Sequence, residues 1–121
     1  MCGASDISDS GPLIVVLDPD EAVREALRFS LETEGYRVRA FGSASELLAC
    51  AQFLGAACFV IDESGCDDPR LHTMLRWRRA PVILLSGRPD RVRARGRTTI
   101  VEKPLVTDAL SRRIAAVLRA Q

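Results

Sequence analysis

Apolar residues in this chain follow two rhythms. Short solid apolar runs alternate with stretches in which apolar positions recur every three or four residues. The solid runs are residues 13–17, 57–61 and 82–85, the second of them ending at Asp62. A continuous apolar run of this length reads as a strand covered on both faces, as in a parallel sheet. Residues 98–101 supply a fifth strand, and residues 36–41 (Tyr, Arg, Val, Arg, Ala, Phe) alternate as an edge strand with one partly wet face does.

The intervening stretches read as helices. From Asp20 onward, Val23, Ala26, Leu27, Ser30 and Leu31 share one face, and Glu21, Glu25, Arg28 and Glu32 the other. Gly35 stops that helix. Ser43 and Glu46 form a capping box for a second helix, which buries Leu47, Leu48, Ala51 and Leu54 and ends at Gly55. A turn-rich acidic loop over residues 63–68 leads to Pro69, which suits a first helical turn. That third helix directs Leu71, Met74, Leu75 and Trp77 inward, with His72 on its wet side. Residues 88–97 contain Pro89 and Gly96 and little apolar content, so one or two helical turns are expected there. Thr107 caps a last helix that buries Leu110, Ile114, Val117 and Leu118.

Strands alternating with helices give a parallel sheet with right-handed crossovers. The predicted fold is α/β: a flavodoxin-like, doubly wound five-stranded parallel sheet of order 2-1-3-4-5, with a short or irregular fourth helix. Residues 1–12 are small, polar or Gly/Pro and read as a flexible leader, and residues 13–121 as one domain. No apolar run reaches the roughly 20 residues that span a bilayer, and no secretory signal is visible. None of the four cysteines lies in a C-x-x-C pair, so neither a zinc site nor a redox motif is expected. Cys50 and Cys58 read as small hydrophobes, which suits a reducing cytoplasm.

Charge changes the picture at two places. Lys103 is the one lysine among 17 cationic residues. Eight arginines fall within residues 76–97 against Asp90 alone, which reads as a solvated face or as a dock for an acidic partner. No nucleic-acid role is expected, because no interleaved aromatics accompany the arginines.

In the predicted strand order, four polar residues stand at the carboxyl edge of the sheet, where open α/β sheets do their chemistry: Asp18, Asp62, Ser86 and Lys103. Two neighbouring carboxylates repel unless a cation offsets them. Magnesium is one candidate and the Lys103 ammonium another. A carboxylate nucleophile, a cation and donors for phosphoryl oxygens are the parts that phosphoryl transfer needs.

These residues carry a resemblance to the receiver domains of bacterial response regulators. It spans residues 13–118, on Ile14-Val15-Val16-Leu17-Asp18, Phe59-Val60-Ile61-Asp62, Pro81 through Gly87, and Val101-Glu102-Lys103-Pro104-Leu105. The resemblance implies that Asp62 accepts a phosphoryl group from the phosphohistidine of a histidine kinase or phosphotransfer protein. It implies magnesium held by Asp18, Asp62 and the backbone carbonyl of Ser64. Ser86 and Lys103 would contact the phosphoryl group, and a protein-interaction surface would switch. A downstream protein partner, no membrane, a cytoplasmic location and no enzymatic turnover follow from the same likeness; a second copy of the chain is a further candidate partner.

Three departures stand out. Pro19 replaces the second member of the family's acidic pair, leaving Asp20 or Glu63 as substitute donors. Ile100 stands where the family has an aromatic switch residue. The loops after Asp62 and Ser86 are short. A degenerate receiver acting as a phosphorylation-independent interaction module is the alternative these departures support. A remote third reading is a haloacid-dehalogenase-type phosphatase using Asp18 with Asp20.

Overall fold

The computed structural model describes residues 11–50, 55–88, 98–103 and 109–120. Five strands, β1 (Leu13–Leu17), β2 (Arg37–Phe41), β3 (Ala56–Asp62), β4 (Val82–Ser86) and β5 (Thr98–Glu102), form one parallel sheet of order β2-β1-β3-β4-β5. The order is the one the alternating pattern predicts, with β2 and β5 at the edges. The helices are α1 (Glu21–Thr33), α2 (Ala44–Ala49), α3 (Pro69–Arg78) and α4 (Ala109–Arg119), with a 3-10 turn over Glu63–Asp67.

β1 and β4 are buried along their whole length, and β3 at all but Ala57. Successive side chains of these strands point to opposite faces, so each strand feeds two cores. On one face Val15, Leu17, Phe59, Ile61 and Leu84 pack with Leu47 of α2 and Leu71 of α3. On the other, Ile14, Val16, Val60, Ile83 and Leu85 pack with Leu27 and Leu31 of α1 and Leu110 and Ile114 of α4. The solid apolar runs are solid because neither face sees water.

Local signals in the chain fix the element ends. Asp20 is the N-cap of α1, its carboxylate accepting from the backbone N–H of Ala22 and Val23. Ser43 caps α2 by accepting from Glu46 N–H, but the Glu46 carboxylate reaches back to Gly42 N–H, one residue earlier than a capping box has it. Asp68 caps α3 ahead of Pro69. Gly35 follows α1 at φ +98°, a left-handed conformation that costs a residue with a Cβ about 1–2 kcal/mol. Its carbonyl oxygen leaves no room at Gly11, where a Cβ would lie 1.9 Å away. Gly11 and Pro12 also accept hydrogen bonds from Arg37, through Nε and backbone N–H respectively.

Several expectations shift. The turn-rich loop after Asp62 takes the form of a 3-10 turn over Glu63–Asp67. Trp77, expected to face inward, is 83% exposed, because the short α3 places it on the helix side away from Leu71. Cys58 is free and buried, its thiol pushed up to about 12 by burial, whereas Cys50 is disulfide-bonded and not simply packed. α2 ends at Ala49, with Cys50 as an extended C-cap. The leader up to residue 10, the positions of Ala51 and Leu54, the fourth helix over residues 89–97 and the Thr107 cap lie outside the described residues.

Gly11→Ala drives a methyl into backbone and not into a flexible side chain. It is expected to lower stability by about 1–3 kcal/mol, read as a lower urea midpoint with an unchanged slope. Gly35→Ala is expected to lose about 1–2 kcal/mol in the same assay, from backbone conformation alone.

Candidate functional site

All five strands are parallel, so their carboxyl ends lie along one edge. Asp18 follows β1, Asp62 ends β3, Ser86 ends β4 and Lys103 follows β5. Backbone pairing extends to these residues: Asp18 N–H donates to the Phe41 carbonyl at 3.1 Å, and Lys103 N–H to the Ser86 carbonyl at 2.8 Å.

The Lys103 ammonium joins two carboxylates. Nζ donates to Asp18 Oδ2 at 2.9 Å and to Asp62 Oδ1. The other oxygens are engaged too: Asp18 Oδ1 accepts from Asp20 N–H at 2.9 Å, and Asp62 Oδ2 accepts from the backbone N–H (3.0 Å) and hydroxyl (2.5 Å) of Ser64. The Asp18 side chain is 1% exposed and the Lys103 side chain 25%, so the cation closes the pocket on its solvent side. For Asp62, burial opposes ionisation, but the hydrogen bonds from Lys103 and Ser64 and the lysine charge outweigh it, and its pKa falls below the usual carboxylate range. Burial likewise disfavours the Lys103 cation, yet the two carboxylates hold its pKa above the ordinary lysine value.

Ser86 is fully buried, and its hydroxyl oxygen accepts from Arg88 N–H at 2.9 Å. Ser64 engages Asp62 through its hydroxyl and N–H. Ile100 is partly buried against the α2–α3 core. Asp20 is used as the α1 cap, its Oδ1 accepting from the backbone N–H of Ala22 and Val23.

A residue that the sequence reading passed over also belongs to this edge. Arg24 Nη1 donates to the carbonyls of Asp18 (2.9 Å) and Pro19 (3.4 Å), clamping the turn that presents Asp18. Its place in the first turns of α1, shortly after a proline turn with exposed carbonyls, was the available signal.

Among the described residues no three His, Cys, Asp or Glu side chains converge as a metal-binding group. Asp18 and Asp62 nonetheless converge on one cationic nitrogen, so the pocket attracts positive charge. Magnesium is commonly held by one or two carboxylates with water and phosphate oxygens completing the shell. The residues fit a partly hydrated ion with few protein ligands.

Known proteins place this arrangement. Response regulator protein TmoT of Ectopseudomonas mendocina is 32% identical over 93 residues, covering 73% of this chain and 42% of the relative. Transcriptional regulatory protein FixJ of Bradyrhizobium diazoefficiens is 28% identical over 115 residues, covering 88% of this chain and 56% of its own. The response regulator StyR superposes with a TM-score of 0.77 at 26% identity, over 92% of this chain and 61% of that one. The chain is a response-regulator receiver domain. The receiver domain of the hybrid histidine kinase CckA has the same fold, with a TM-score of 0.72 at 24% identity over 98% of its length. No protein-family model matches the chain. This receiver spans about half the length of the curated relatives it matches.

The pKa directions fix the sign of the pH dependence. The Asp62 contribution is present above its unfolded pKa and is lost as pH falls through the lowered folded value; the Lys103 contribution is present below its unfolded pKa and is lost as pH rises through the raised folded value. Urea midpoints should therefore form a plateau between the two, with the acid limb shallower in Asp62→Asn. Lys103→Met, which leaves a buried Asp18 carboxylate facing Asp62, should cost about 2–4 kcal/mol at neutral pH.

Proposed function

We propose that this receiver works in two-component signalling by accepting a phosphoryl group on Asp62. The donor is the phosphohistidine of a histidine kinase or phosphotransfer protein. An Asp62 carboxylate oxygen attacks phosphorus, the P–N bond breaks, the imidazole leaves with its electron pair, and an acyl phosphate forms. The observation that carries this reading is the Lys103 ammonium placed against both Asp18 and Asp62. It keeps Asp62 ionised as a nucleophile and stands ready to balance charge arriving with the phosphoryl oxygens.

Asp18, Asp62 and the Ser64 backbone carbonyl would hold magnesium, which when bound supplies further positive charge to the phosphoryl oxygens. Before attack, Asp62 must release at least one of the bonds from Lys103 or Ser64. Ser86 would turn its hydroxyl from Arg88 N–H towards the new phosphoryl oxygen, and that exchange changes the backbone after β4. In this reading the output is altered binding to a downstream protein. The role is a signalling one, without enzymatic turnover, and the setting is the cytoplasm on the family likeness alone, since the disulfide-bonded Cys50 does not argue for a reducing compartment. No described helix is long and apolar enough to cross a membrane.

Incubation with a small phosphodonor and magnesium, followed by intact mass measurement, tests the reading. One phosphoryl adduct is expected on the wild type and none on Asp62→Asn. Because Pro19 leaves one acidic donor fewer, half-maximal labelling is expected at about tenfold more magnesium than a receiver with an intact acidic pair requires. Absence of an adduct under conditions that label such a receiver would leave a phosphorylation-independent interaction module.

A further inference from the structure

The end of α3 lies at the opposite edge of the sheet from Asp62, since α3 starts after β3 and runs back to where β4 begins. Its last turn reads Arg76-Trp77-Arg78, followed by Arg79. Trp77, the one tryptophan of the chain, is 83% exposed. It borders an open-sided cavity of about 380 Å³ that is also lined by Thr73, Arg76 and Arg79.

Three features do not fit a merely solvated helix end. An exposed tryptophan is large apolar surface with no core function. Among the described residues Arg76, Arg78 and Arg79 form no ion pair, whereas Arg70 at the other end of α3 is paired with Asp68. Arg79 occupies the left-handed position after the helix, φ 58° and ψ 21°, where glycine or asparagine is the ordinary residue. Favourable interaction with the helix dipole accounts for cations at Arg76 and Arg78. It does not account for a strained arginine beside an exposed indole.

We propose that this surface docks an acidic protein segment that carries an apolar or aromatic side chain among its carboxylates. The cavity takes the apolar side chain against the Trp77 ring, and Arg76 and Arg79 pair with the flanking carboxylates. Tryptophan and arginine are the residue types that most often anchor such contacts, and the charge is complementary. A nucleic-acid strand fits less well, because one aromatic platform is present where successive bases need several. The inference is independent of phosphoryl transfer at Asp62.

Because Trp77 is the sole tryptophan, its fluorescence reports the surface directly. The full chain is titrated with a synthetic peptide of glutamates around a central phenylalanine, with the same peptide built on lysines, and with single-stranded oligothymidine. A saturable blue shift is expected with the glutamate peptide alone, weakening as salt is added. Arg79→Gly is expected to weaken that peptide by about tenfold while melting no lower than the wild type, because glycine suits the backbone there. Arg76→Gln should weaken it similarly. No shift, an equal shift with the lysine peptide, a shift with oligothymidine alone, or unchanged affinity in both variants would each overturn the proposal.

Discussion

Two carboxylates closing on one ammonium govern this molecule's carboxyl edge. Asp18 is almost wholly out of water, and Asp62 nearly so, and the Lys103 ammonium between them offsets the repulsion of their carboxylates. The lysine thereby couples β1, β3 and β5, strands that are not all neighbours. Two central strands and one edge strand are thus joined electrostatically at one end, while apolar packing covers β1 and β3 along their length. The sheet order makes this possible, because only a crossover between β1 and β3 sets the two aspartates side by side.

The departures from the receiver pattern have local physical consequences. Pro19 offers neither a ligand atom nor an N–H. The next carboxylate, Asp20, is drawn instead to the free N–H groups of α1, a strong local attraction. Arg24 then ties down the carbonyls that the proline turn leaves exposed. The turn is rebuilt around helix capping, with Asp18 kept in place and its acidic neighbour dispensed with.

What could be read from the chain follows the strength of each signal. The apolar runs are period-free because both faces are covered, and that distinguishes a parallel sheet without any knowledge of contacts. Strand order then brought Asp18, Asp62, Ser86 and Lys103 to one edge, where the structure places them. Orientation was less legible. Whether Trp77 turned in or out depended on where the short α3 sat on the sheet, which helical periodicity over ten residues does not fix. The bonding of Cys50 and the clamp by Arg24 are tertiary or loop contacts that leave no periodic trace.

β5 is the least buried strand of the sheet, with no fully covered position, and it lies at an edge. It also leads directly into Lys103, the cation on which the pocket's charge balance depends. The strand with the fewest apolar attachments therefore carries the group with the strongest electrostatic ones. Altering the charge on Asp62 changes the pull on a strand that the core itself restrains weakly. β1, β3 and β4 are held by two apolar layers, so the flank at β5 is the part of the sheet whose position owes most to charge and least to the core.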